Sequence, residues 1–96
     1  MYFLITARDR EGALEQRMAL RPEHLAYWQG LGAAVKLGGP QLSDDQPCGS
    51  FFLVEAADLA AAQAIAQGDP FARDGIFMRI EVAATRLTLG GWRPAD

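Results

Sequence analysis

The chain has 96 residues, half of them hydrophobic and 22% charged, with a formal net charge of −3. That length makes one domain, residues 1–96, with one core. The acidic balance argues against nucleic-acid binding, no run approaches the roughly 18 apolar residues of a membrane span, and the single cysteine, Cys48, forms no internal disulfide. The expectation is a soluble cytoplasmic protein without a secretory leader.

The first element is Tyr2-Phe3-Leu4-Ile5-Thr6-Ala7, a strand-like run that is apolar on both alternating faces. Such a strand is expected at the centre of a sheet and covered twice. Arg8 to Gly12 reads as a charged turn. Ala13 to Leu20 is rich in helix formers, and Pro22 is expected to end that run and to open a second helix, since proline suits a first helical position. This second helix runs to about Leu31. It carries the only histidine, His24, in its first turn, on one stripe with Trp28 and Leu31.

Ala33 to Leu37 reads as a strand, and Gly38-Gly39-Pro40 is expected to break its regularity. Glycines there suit a bulge or the close approach of a ligand, and the residues leave both readings open. Ser43 to Pro47 is a polar turn, and Ser50 to Ala56 is a second strand apolar on both faces. Asp58 is expected to cap a helix from Leu59 to Gln67, which Gly68 ends in a left-handed conformation. Asp69 to Gly75 reads as a loop. Ile76 to Val82 alternates apolar and mostly polar residues, as a half-exposed strand does. Gly90-Gly91 loosens a tail that ends in Trp92-Arg93-Pro94-Ala95-Asp96.

Strand, helix, strand, strand, helix, strand is the ferredoxin-like βαββαβ plan, an α+β fold in which an antiparallel four-stranded sheet carries its helices on one face. Its first and third strands are central, and those are the two that read apolar on both faces. The second sheet face would then expose aromatic and branched side chains. A second copy stacked on it, a homodimer, is the expected cover.

His24 opens one helix and Asp69 follows another, so the fold makes them neighbours without fixing whether those ends meet. An aspartate beside a histidine holds its tautomer and supports the imidazolium, which suits a general acid or base. Asp69 also suits plain turn chemistry. Cys48 has no identified base, and one histidine with one cysteine offers no metal-ligand spacing, so no metal site is expected. Gly30-Leu31-Gly32 leads into a strand, the reverse of what a dinucleotide loop requires.

Several short pieces then fall in one order along nearly the whole chain. They are Met1-Tyr2-Phe3, Leu14-Glu15-Gln16-Arg17, Arg21-Pro22-Glu23-His24-Leu25-Ala26-Tyr27, Gly38-Gly39-Pro40, Gly49-Ser50 and Gly68-Asp69-Pro70-Phe71. In these the chain resembles the YCII-related (YciI-like) family. The resemblance implies a dimeric α+β barrel built from ferredoxin-like protomers, with His24 and Asp69 at the family's His and Asp positions in a pocket near the dimer interface. It implies a small enzyme working without a cofactor, by elimination, isomerisation or a related proton transfer on an oxygenated or aromatic metabolite. A non-catalytic ligand-binding or accessory module is the alternative. Gly39, Pro40, Ser50 and Phe71 are candidate pocket walls. Arg17 is a candidate for holding an anionic or phenolate oxygen, or for pairing with Glu15 or Glu23 in solvent.

Overall fold

A computed structural model describes residues 1–94, so Ala95 and Asp96, the end of the expected tail, lie outside the described residues. The elements are β1 (Tyr2–Asp9), α1 (Leu14–Gly30), β2 (Val35–Ser43), β3 (Gln46–Glu55), α2 (Leu59–Gly68), α3 (Pro70–Arg73) and β4 (Phe77–Thr85), with a 3-10 turn over Gly32–Ala34. The sheet order is β2-β3-β1-β4, all antiparallel, which is the ferredoxin-like arrangement with β1 and β3 central. Among the described residues no helix is long and apolar enough to cross a membrane.

The core lies between the helices and one sheet face. Phe3 and Ile5 of β1 alternate with outward residues, and opposite them in register stand Val54 and Phe52 of β3. Trp28 of α1 and Ala62 and Ala66 of α2 close over these four. The small alanines let α2 approach the sheet, and α2 starts where expected, with Asp58 accepting a hydrogen bond from the Ala61 N–H. The other sheet face carries Tyr2, Leu4, Phe51 and Leu53, with Leu4 40% exposed and Leu37 of β2 39% exposed. Leu87 and Trp92 of the tail border the same clefts as Leu37 and Leu53, yet Trp92 is 84% exposed.

Four expectations are corrected. Pro22 neither ends nor starts a helix. It lies inside α1, which runs unbroken for 17 residues. An interior proline removes one hydrogen bond and costs about 3 kcal/mol, so burial must hold the helix together. The buried residues Arg17, His24 and Trp28 fall on both sides of Pro22, anchoring each half of α1 to the same layer. Gly38-Gly39-Pro40 does not break a strand either. It continues β2, an edge strand, where a proline lacking its N–H forfeits no essential ladder bond.

Gly68 is absent from the positive-φ glycines, so its role is spatial rather than conformational. A Cβ there would land on the Tyr27 hydroxyl, which bonds the Ile65 carbonyl oxygen at 2.7 Å. Asp69 to Gly75 is also more than a loop. Asp69 caps α3, its side chain accepting from the Phe71 N–H, with Pro70 at the favoured first position. The turn at Ser43 to Gln46 is as expected, with Asp44 and Asp45 both at positive φ, as a tight hairpin requires.

Candidate active site

The continuous α1 is what makes a site. Arg17, Arg21, His24 and Trp28 recur at helical spacing, so one face of one helix presents all four. That face forms a wall of a cavity of about 580 Å³. Gly38, Gly39 and Pro40 of β2 also line it, as do Phe52 and Phe71. Gly38 sits against Phe52 because it lacks a side chain: a Cβ there would come within 2.6 Å of the Phe52 ring. Phe52 can therefore lie flat on Trp28, with ring centroids 3.7 Å apart and planes 6° from parallel.

Asp69 is wholly buried, and every polar edge of its carboxylate is occupied. Oδ1 faces His24 Nδ1 at 2.7 Å and accepts from the Phe71 N–H at 2.9 Å. Oδ2 accepts from Trp28 Nε1 at 2.9 Å. The cap of α3 and the partner of the histidine are thus the same oxygen, and both readings of Asp69 hold together. A carboxylate accepts only, so the hydrogen in the His24–Asp69 contact belongs to Nδ1. His24 is 7% exposed. Among the described residues its Nε2 has no protein partner, yet no buried side-chain nitrogen or oxygen lacks one. Nε2 is therefore the edge of the imidazole that meets the cavity.

Phe71 fixes the plane of that ring. His24 stacks on it at 3.9 Å between centroids, 10° from parallel. The guanidinium of Arg17 lies over the same Phe71 ring, 4.7 Å from its centroid. Arg17 is only 4% exposed, and most of its donors are committed. Nη1 reaches both oxygens of Asp9 at 3.0 Å, and Nη2 donates to Ser50 Oγ at 2.9 Å. Of the two readings of Arg17, the pairing with Glu15 or Glu23 is not made; its carboxylate partner is Asp9. Arg17 touches the cavity but acts as a prop, tying β1, β3 and Phe71 to α1. Ser50 is fully buried beneath Arg17 and does not line the cavity, whereas Gly39, Pro40 and Phe71 do.

Tyr27 is a near neighbour without a proton-transfer role. Its burial, and next the charge of Asp69, push its pKa above the usual tyrosine value, with Arg73 pulling the other way. It stays a hydroxyl donor to Ile65 at neutral pH. Among the described residues no cluster of three metal-ligating side chains occurs.

Two contributors were not read from the sequence. Asp9 reads in sequence as part of a charged turn, but it ends β1 and anchors Arg17. Its signal is an acid closing a central strand eight residues before a basic residue on the following helix. Trp28 shares a helical stripe with His24 in the sequence and is buried in the core, but its indole N–H also bonds Asp69.

The sequence profile of the YCII-related domain matches residues 1–86. Protein YciI of Escherichia coli O6:H1 is 34% identical over 91 residues, covering 85% of this chain and 93% of that protein. An uncharacterized protein of Haemophilus influenzae is 32% identical with the same coverage. Among solved structures, a 5-chloro-2-hydroxyhydroquinone dehydrochlorinase from Burkholderia phenoliruptrix AC1100, in complex with 2,5-dihydroxybenzoquinone, superposes with a TM-score of 0.81. It is 34% identical and covers 98% of this chain and 100% of its own. A candidate antibiotic biosynthesis monooxygenase from Bacteriodes thetaiotaomicron VPI-5482, 22% identical, shares the fold with a TM-score of 0.55 over 94% of this chain and 91% of its own.

The Asp69 arrangement predicts the behaviour of Trp28→Phe. The substitution keeps an aromatic face for Phe52 but removes the donor to Oδ2, leaving that buried oxygen short of a partner. Urea unfolding is expected to show a loss of about 1–3 kcal/mol. A variant as stable as the parent would mean that the indole bond does not hold the carboxylate.

Proposed function

The chain belongs to the YCII-related family, and we propose that it is a small-molecule enzyme in which His24 acts as general base and acid and Asp69 orients it. The observation that carries this reading is the 2.7 Å contact of His24 Nδ1 with a fully buried carboxylate, which leaves Nε2 to the cavity. With the proton on Nδ1, the Nε2 lone pair is available to take a proton from a bound ligand. Asp69 then stabilises the imidazolium across the ring.

The chemistry such a base supports is proton abstraction from a carbon or oxygen made acidic by a conjugated carbonyl. The electron pair left behind can expel a group from the adjacent position, which is elimination. The imidazolium can instead return the proton elsewhere, which is isomerisation. The cavity suits a small flat ligand, being lined by the rings of Trp28, Phe52 and Phe71 and by the backbone of Gly38 and Gly39. The dehydrochlorinase similar to this chain over its whole length, with a hydroxylated quinone bound, supports a hydroxylated cyclic substrate. No cofactor is invoked, because a base and a conjugated substrate suffice for this chemistry.

We further propose that the chain works as a homodimer. Leu4 and Leu37 are exposed beside Phe51 and Leu53 on the sheet face away from the helices, a surface suited to a second copy. A stable pair would bury on the order of 1,200–2,000 Å² in total. Light scattering at micromolar concentration should give twice the chain mass, and Leu4→Arg should shift it toward the monomer. A monomeric parent would sink the dimer.

The enzymatic reading is tested with a chlorinated hydroxyhydroquinone as substrate, whose loss of HCl gives a hydroxyquinone that is followed by its absorbance under anaerobic conditions. His24→Ala should lower turnover by roughly 10²–10⁴. Asp69→Asn should lower it too, through the tautomer it imposes. If 2,5-dihydroxybenzoquinone binds the parent tightly but no hydroxylated cyclic substrate is turned over, the protein is a binding module instead. If both variants turn over substrate normally and merely unfold earlier, the pair is structural.

A further inference from the structure

The cavity has a second polar pole. Its lining includes Arg17, Arg21 and His24 and no aspartate or glutamate, in a chain that is acidic overall. The two arginines are not equivalent. Arg17 is buried, its charge offset by Asp9, its remaining contacts made to Ser50 and Phe71. Arg21 is exposed at the cavity wall, and among the described residues it makes neither an ion pair nor a side-chain hydrogen bond. At about 100° per residue, the cavity-facing residues of α1 span an arc from His24 to Gln29, and Arg21 lies near its middle. It stands one turn before His24, roughly 4.5 Å along the axis.

We propose that Arg21 is the anion anchor of the site, and that its ligand is a planar ring carrying an ionised oxygen, an enolate or phenolate conjugated to a carbonyl. This inference rests on the proposed small-molecule site and adds what that reading leaves open, the charge state of the ligand and the residue that selects it. The guanidinium fork grips one oxygen edge of the ring while His24 Nε2 addresses the edge one helical turn away. The two poles thereby set the ring's orientation. A bound ring displaces water between the two poles, and among the described residues Arg21 carries the one guanidinium of the wall without a carboxylate partner, so anions are favoured over neutral rings.

The experiment is calorimetric titration with two probes built on one six-membered ring with para oxygens, 2,5-dihydroxybenzoquinone, ionised at neutral pH, and hydroquinone, neutral there. The parent should bind the anion more tightly, with an affinity that falls as salt rises. Arg21→Gln should weaken the anion by about 10- to 100-fold and leave hydroquinone unchanged. Arg21→Lys should fall between, keeping the charge and losing the fork. Arg21 is exposed, so thermal unfolding should not change. Arg21→Gln binding the anion like the parent, or a parent that binds both probes equally and without salt dependence, would overturn the anchor while leaving the His24 site standing. A parent that binds neither probe overturns the proposed site, and the anchor falls with it.

Discussion

The structure depends on one carboxylate taken wholly out of water. Burying an ionised aspartate costs several kcal/mol unless its oxygens are met by donors. Asp69 meets that requirement with three N–H groups: the indole of Trp28, the imidazole of His24 and the backbone of Phe71. Each donor comes from an element that must therefore be in place. Trp28 and His24 require the part of α1 that follows Pro22, and Phe71 requires the short helix that Asp69 itself caps. The carboxylate is at once the reason the helices meet here and the group that fixes the proton on Nδ1.

Around this hub the aromatic rings do geometric work. Phe52 stacks on Trp28 and Phe71 on His24, the two stacks inclined to each other by 55–61°. Arg17 lies over Phe71 and ties it through Asp9 and Ser50 to β1 and β3. Stacking alone would let the imidazole slide in its plane, and a hydrogen bond alone would let it tilt. Together they hold one nitrogen toward the cavity, the positioning that acid–base chemistry requires.

The fold was largely legible because its signals are local. The two doubly apolar segments became the two central strands, and Asp58 capped the helix that follows it. Pro22 misled because proline's local cost is large, while the burial that outweighs it, at Arg17 and Trp28, comes from contacts far along the chain. Gly38-Gly39-Pro40 misled for a similar reason: a proline is a strand breaker only where its N–H is needed, and edge position is a property of the whole sheet. His24 and Asp69 could be named as a pair but not joined, since 45 residues separate them and only the packing of α3 beside α1 brings them to 2.7 Å. Arg17 reads as a group for a ligand oxygen or for a carboxylate, and the sequence does not say which carboxylate: its partner is Asp9, and its bond to Ser50 reaches 33 residues along the chain.

The central claim is that Asp69 holds the neutral ring with its proton on Nδ1 and its lone pair on Nε2. With a single histidine in the chain, nitrogen NMR of the imidazole assigns itself. At a pH where the ring is neutral, the account predicts a protonated Nδ1 and an unprotonated Nε2, with the tautomer no longer held that way in Asp69→Asn. A neutral ring with its proton on Nε2 in the parent would contradict it, because Nε2 would then have no lone pair to receive a proton from the ligand.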